Sequence, residues 1–240
     1  GTRTRVRAHR PFITDSDTIP PVIAVAGGKG GSGKTTTTVG LARALSRRGA
    51  PVVAADADWD LPNLAGLAAE TGAETTSTVL DAIAADRGIR PNRSAPVLLA
   101  APEDPRTADA RVTLGSLDSS VPDDTPTLLD CPAGASPDAA APLRVADRCL
   151  LVTPLRRPAL RDAAKTAALA RRLDCPPLGV VLVRASSTPD QVAELLGCPV
   201  FGRVPPRGPE PLSDPEVESA YDDIASALVK NHGTDRWRVA

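Results

Sequence analysis

An apolar run, Val22-Ile23-Ala24-Val25-Ala26, leads into Gly28-Lys29-Gly30-Gly31-Ser32-Gly33-Lys34-Thr35, and a helix-like segment opens at Lys34. No other stretch constrains the fold as strongly. Four glycines within residues 28–33 let the backbone turn back on itself, so the strand before and the helix after must pack as one βα unit. Further apolar runs at 51–55, 97–101, 127–130, 149–153, 178–183 and 200–204 lack in/out alternation. Strands buried on both faces read this way. Helix-like segments at 34–48, 78–85, 138–146, 158–173, 189–196 and 215–230 separate them. The alternation predicts an α/β fold, a doubly wound, mostly parallel sheet with helices on both faces. Ligands of such sheets bind beyond the carboxyl ends of strands.

The glycine loop matches G-x-x-x-x-G-K-[ST], the phosphate-loop pattern of P-loop NTPases, in the strand-to-helix setting that pattern requires. Gly28, Gly30, Gly31, Ser32 and Gly33 would turn backbone N–H groups inward around a triphosphate, with Thr36 on the first helical turn. Lys34 would reach the outer phosphates, and Thr35 would ligate Mg²⁺.

Composition limits the alternatives. Of 240 residues 42% are apolar and 24% charged, and Gly and Pro together make 43, below the share typical of low-complexity chains. The net charge of −1 gives no overall attraction to nucleic acid or an anionic membrane. Five aromatic residues are too few for a base-stacking platform. Cys131, Cys149, Cys175 and Cys198 form no CxxC pair and read as buried, reduced thiols. With no apolar run of membrane-spanning length and no signal core, a cytoplasmic protein is expected. The predicted domains are a basic arm over 1–21, one nucleotide-binding domain over 22–230 and a short tail over 231–240.

A second lysine inside the loop, Lys29, makes the run similar to the deviant Walker A motif of the MinD/ParA family. The resemblance implies that Lys29 reaches across an ATP-sandwiched homodimer to the partner's nucleotide, much as an arginine finger does. Asp56-Ala57-Asp58-Trp59-Asp60-Leu61-Pro62-Asn63 resembles the family's switch segment, D-x-D-x-x-x-x-N, with Asp60 and Pro62 where Gly and a basic residue are common. It implies Asp56 on the metal's water shell, Asp58 positioning the attacking water and Asn63 near the nucleotide. A plain helix cap is the alternative for such an Asp-rich loop.

Asp130-Cys131-Pro132-Ala133-Gly134 is similar to the D-x-P-x-G of switch II, which implies Asp130 at Mg²⁺ and the Gly134 N–H at the γ-phosphate. Where relatives end a late strand with Asn-Arg, this chain has Val183-Arg184, leaving Arg184 to stack on the base. The turn at Pro205 would add backbone contacts to it. Arg161, Lys165 and Arg172 share a helix face suited to nucleic acid or a protein partner, although a solvated basic face is the plainer reading. Asp162 falls where MinD-like proteins place an acidic residue near the dimer interface. Val217, Ala220, Tyr221, Ile224 and Leu228 read as core packing, and nothing in the tail supports direct membrane binding.

The resemblance spans about 22–230 and implies a Mg²⁺-dependent ATPase that dimerises on ATP to position or regulate cellular cargo, with a protein partner. The alternative is a nucleotide-gated adaptor with negligible hydrolysis. Iron–sulfur carrier and nitrogenase-type relatives want cysteine patterns that this chain lacks, and a tyrosine autokinase wants a tyrosine-rich tail.

Overall fold

Eight strands pair into a single parallel sheet in the computed structural model, which describes residues 22–85, 88–91, 93–123, 125–134 and 137–232. They are β1 (Val22–Ala26), β2 (Val53–Asp56), β3 (Ser77–Thr78), β4 (Val97–Ala100), β5 (Thr127–Asp130), β6 (Arg148–Pro154), β7 (Pro177–Val183) and β8 (Val200–Val204), in the spatial order β3-β4-β2-β5-β1-β6-β7-β8. The helices are α1 (Lys34–Arg47), α2 (Leu64–Glu70), α3 (Val79–Ala84), α4 (Ala110–Ser120), α5 (Pro137–Val145), α6 (Arg157–Arg172), α7 (Gln191–Leu196) and α8 (Pro215–His232). The doubly wound class expected from the sequence is observed. The arm over 1–21 and the tail from 233 onward lie outside the described residues.

Along β1, β2, β4, β5 and β6 the strand side chains divide by period 2 between two hydrophobic cores, and the period breaks in β7 and β8, where the register shifts beside Val180. Ile23, Val25, Leu128, Leu150 and Val181 join the core beneath α1, α2 and α8. Ala24, Ala26, Leu129, Leu151 and Val180 join the core beneath α3 to α7. Because both faces are covered, neither set is polar, and the hydropathy pattern along the strands is flat.

Three elements escape a reading of the sequence: β3, α2 and α4. Strand β3 is two residues long and α2 only seven, too short for either to show a period. Helix α4 carries Gly115 and four Ser or Thr residues that lower its propensity, yet Asp109 caps it by accepting the Val112 N–H at 2.9 Å. On α8, Val217, Tyr221, Ile224 and Leu228 are buried as expected, with Ala220 half-buried. All four cysteines are buried free thiols. No helix among the described residues is long and apolar enough to cross a membrane.

Winding reverses at β1, whose neighbours are β5 on one side and β6 on the other. Chain segments more than 100 residues apart therefore end side by side at a switch point, where a crevice for a ligand opens.

Candidate nucleotide site

Helix α1 begins without a cap. Gly33 precedes it at φ 90°, no side-chain cap bond is made among the described residues, and its first turn carries no acidic residue. A 14-residue helix with free N–H groups and an unopposed positive dipole end is a ready anion site, and glycine is what lets the loop enter it in a left-handed conformation. Lys34 is 7% exposed at the helix's first position, and Thr35 and Thr36 follow on the same turn. The Ser32 hydroxyl, also in the loop, is buried without a hydrogen-bond partner among the described residues. An orphaned donor beside uncapped amides is what a phosphate oxygen would satisfy, so these residues fit a nucleotide's phosphate chain.

Asp56 ends β2 and Asp130 ends β5, and the two are register partners on adjacent strands. Both are buried. Burial raises the Asp130 carboxyl to about 7 against the opposing hydrogen bond from Thr35, and the neighbouring Asp56 charge pushes it further in the same direction. Thr38, one turn along α1, also donates to Asp130 Oδ1 at 3.4 Å. The phosphate-loop pattern does not extend to Thr38, although its spacing of three from Thr35 puts both hydroxyls on one helix face. Burial likewise raises Asp56 to about 6, offset in part by backbone N–H groups of Leu64, Asp58 and Asn63. Two buried, proton-hungry carboxylates next to a threonine hydroxyl form an oxygen-donor set suited to Mg²⁺.

Asp56 also organises the loop that follows. Its Oδ1 accepts the Asp58 N–H at 3.0 Å, and its Oδ2 accepts the N–H groups of Asn63 at 3.1 Å and Leu64 at 3.0 Å. Leu64 starts α2, so Asp56 serves the N–H at that helix's first position from the strand end, while the N-cap residue itself, Asn63, makes no side-chain cap bond. Asp58 is half-buried and accepts the Leu61 N–H at 3.3 Å, while the Asn63 side-chain amide turns back onto the Leu61 carbonyl at 2.7 Å. Gly134 lies in the loop after β5 at φ 89°.

Lys29 is exposed, and its Nζ lies 3.2 Å from Asp162 Oδ2 on α6. Lys165 lies 3.2 Å from the other oxygen, and these two lysines, Lys165 first, hold the Asp162 carboxyl below the usual range. A Cβ on Gly28 would come within 2.3 Å of the Asp162 Cβ, so only glycine lets α6 approach the loop this closely. A cavity of about 310 Å³ opens between the loop and the start of α6, lined by Gly28 to Ser32, Thr153, Pro154, Arg156, Pro158, Ala159 and Arg184. In the sequence Arg156 signals only charge, and its place here follows from the β6–β1 pairing, which sequence alone does not reveal.

Arg184 sits at the end of β7 with φ 50°, and its guanidinium donates to the Gly31 carbonyl at 2.7 Å. It braces the phosphate loop. Val183 is buried, with methyl carbons close to Gly33, and Pro205 lies half-buried just after β8. Arg161, Lys165 and Arg172 are all exposed on α6.

A glycine loop feeding an uncapped helix, with carboxylates ending the two strands beside it, defines a P-loop nucleotide-binding protein. Residues 23–208 match the model of the CobQ/CobB/MinD/ParA nucleotide binding domain, and the chain belongs to that family, as a member of the MinD/ParA type. The septum site-determining protein MinD of Synechocystis sp. is 30% identical over 201 residues, which make up 77% of this chain and 75% of that protein. The cell division ATPase MinD of Pyrococcus furiosus has a TM-score of 0.71 at 25% identity, over 88% of this chain and 99% of that one. MinD of Pyrococcus horikoshii, solved with Mg-ADP, shares the fold with a TM-score of 0.73 at 24% identity, over 87% of this chain and 96% of that one.

Proposed function

We propose that residues 22–230 form one ATPase unit that hydrolyses ATP to ADP and phosphate with Mg²⁺ and pairs with a second copy while ATP is bound. The observation that carries this reading is Lys29: a loop lysine beyond the helix-start lysine, exposed at the rim and paired with a carboxylate of α6. Residues 28–36 hold the phosphates, with Lys34 on the outer ones. Thr35, Asp130 and Asp56 hold Mg²⁺, which when bound offsets the negative charge of the β- and γ-phosphates. Asp58 orients the attacking water, and Lys29 of one copy stabilises the transferring phosphate of the other. Gly134 and Asn63 report the γ-phosphate to their loops, and Arg184 and Pro205 border the base. Hydrolysis then depends on dimerisation, which suits a cytoplasmic protein that positions or regulates cellular cargo through a protein partner. The mixed pairing on α6, where Lys165 is engaged by Asp162, supports a protein reader of the dimer over nucleic acid.

Phosphate release measured over a range of protein concentrations, with and without Mg²⁺, tests the proposal. Turnover per molecule should rise with concentration and vanish in EDTA. A second reading, a nucleotide-gated adaptor with negligible hydrolysis, draws on the switch loop's self-contained bonding, in which Asp58 and Asn63 both serve Leu61. ATP-dependent dimerisation without phosphate release would select it.

A further inference from the structure

Within residues 58–63 only one side chain is buried, that of Trp59, which is 8% exposed. It belongs to neither hydrophobic core. A large aromatic buried in a polar loop, outside the cores that stabilise the sheet, requires a local explanation, and its indole N–H supplies one by donating to the Asp56 carbonyl at 3.1 Å.

That carbonyl needs a donor. The Val97 N–H donates to the Val52 carbonyl, so by the period of 2 the even-numbered carbonyls of β2 face β4. Pairing of β2 with β4 stops at Ala55 opposite Leu99, which leaves the Asp56 carbonyl past the end of the ladder. Trp59 takes over the ladder's role there. Around this bond the loop closes on itself: Asp56 accepts from Asp58, Asn63 and Leu64, and Asp58 accepts from Leu61.

We propose that Trp59 is a positioning residue of this site, whose indole, by bonding the Asp56 carbonyl, fixes the turn from which Asp58 presents its carboxylate. The proposal rests on the reading of Asp58 as the group that orients water. Trp59 touches no reacting atom and acts through Asp58. An aromatic ring without a donor leaves the turn held only through the carboxylates of Asp56 and Asp58.

The test uses the full chain and Trp59→Phe, which keeps an aromatic ring and removes the donor. Hydrogen exchange of the nucleotide-free protein should show amides of 57–64 exchanging at least ~10-fold faster in the variant, with those of 27–35 unchanged. Turnover should fall at least ~5-fold in kcat, while the Kd for Mg·ATP stays within ~2-fold, because the phosphate loop is a separate element. Unchanged exchange over 57–64, unchanged kcat, or a loss shared equally by Kd overturns the proposal. If the wild type releases no phosphate, the reading of Asp58 fails on its own account, and the exchange contrast alone decides Trp59. Should Trp59→Phe not fold, a Trp237→Phe chain, in which Trp59 is the single tryptophan, decides instead. Acrylamide quenching of Trp59 should remain low with and without a non-hydrolysable Mg·ATP analogue, and a rise of about 3-fold or more on binding overturns a fixed anchor.

Discussion

Lys29 and Asp162 stand 3.2 Å apart, joining the phosphate loop to α6 across 133 residues of sequence. A lysine engaged at home is not available to a partner. The lysine end of the pair is 68% exposed while Asp162 is largely covered, so water and salt reach the cation and the pair can be exchanged for a better one. Replacing Asp162→Asn should therefore release Lys29 and shift ATP-dependent dimerisation to protein concentrations a few-fold lower, as read by sedimentation velocity. A shift to higher concentrations, or none, counts against a restraining role for Asp162.

The two loop lysines should separate cleanly. Lys34→Ala removes the buried cation at the helix start and should abolish nucleotide binding in calorimetry. On the proposed role of Lys29 in the partner's site, Lys29→Ala should leave binding within ~3-fold and eliminate dimerisation and turnover. Equal loss of binding in both variants would refute the division of labour.

The strand-end carboxylates predict a pH signature. Their pKa values are raised to about 6 for Asp56 and about 7 for Asp130, above those of an unfolded chain, so between about pH 4 and 7 the folded protein binds more protons than the unfolded one. Stability of the metal-free protein should accordingly fall as pH rises through that window. Asp130→Asn cannot ionise and should be more stable than wild type at pH 8 by on the order of 2 kcal/mol, with little difference at about pH 4. Mg²⁺ prefers the ionised forms, so its effect on wild-type melting temperature should grow from about pH 6 to pH 8 and be lost in the variant. Denaturant melts at three pH values, with and without Mg²⁺, check all of these signs.

Arg184 combines a left-handed backbone with a bond to Gly31, and the two can be separated. Arg184→Gly removes backbone strain of about 1 kcal/mol and removes the brace. Arg184→Ala keeps the strain and also removes the brace. Both should weaken nucleotide binding several-fold by calorimetry, but only the alanine variant should also melt at a lower temperature. If the glycine variant binds nucleotide as wild type does, the brace is dispensable.

Much of the site is legible in the sequence because its chemistry is linear. Lys34, Thr35, Asp56 and Asp130 each sit at the end of an apolar run or the start of a helix, and a strand end fixes which crevice a side chain can reach. What stays hidden depends on which strands are neighbours. Arg156 enters the cavity because β6 lies beside β1, and Arg184 finds Gly31 because β7 lies next to β6. Strand order leaves no trace in local periodicity. The double service of Asp56, as strand-end carboxylate and as acceptor for the N–H groups of Asn63 and Leu64, is hidden for a different reason. The sequence admits either role, and only the folded turn shows that one side chain performs both.

The division of the interior into two cores has a mechanical consequence at the nucleotide end of the sheet. Helix α1, which the phosphate loop feeds, is rooted in the core shared with α2 and α8, whereas α6, which carries Asp162, is rooted in the opposite one. Lys29 and Asp162 thus meet where two separately packed slabs face each other across the rim. Parting them requires only a side chain to swing and water to enter. The interior of neither slab is disturbed, so this internal contact can be given up at almost no cost in buried apolar surface, as the proposed exchange for a contact with a second copy requires.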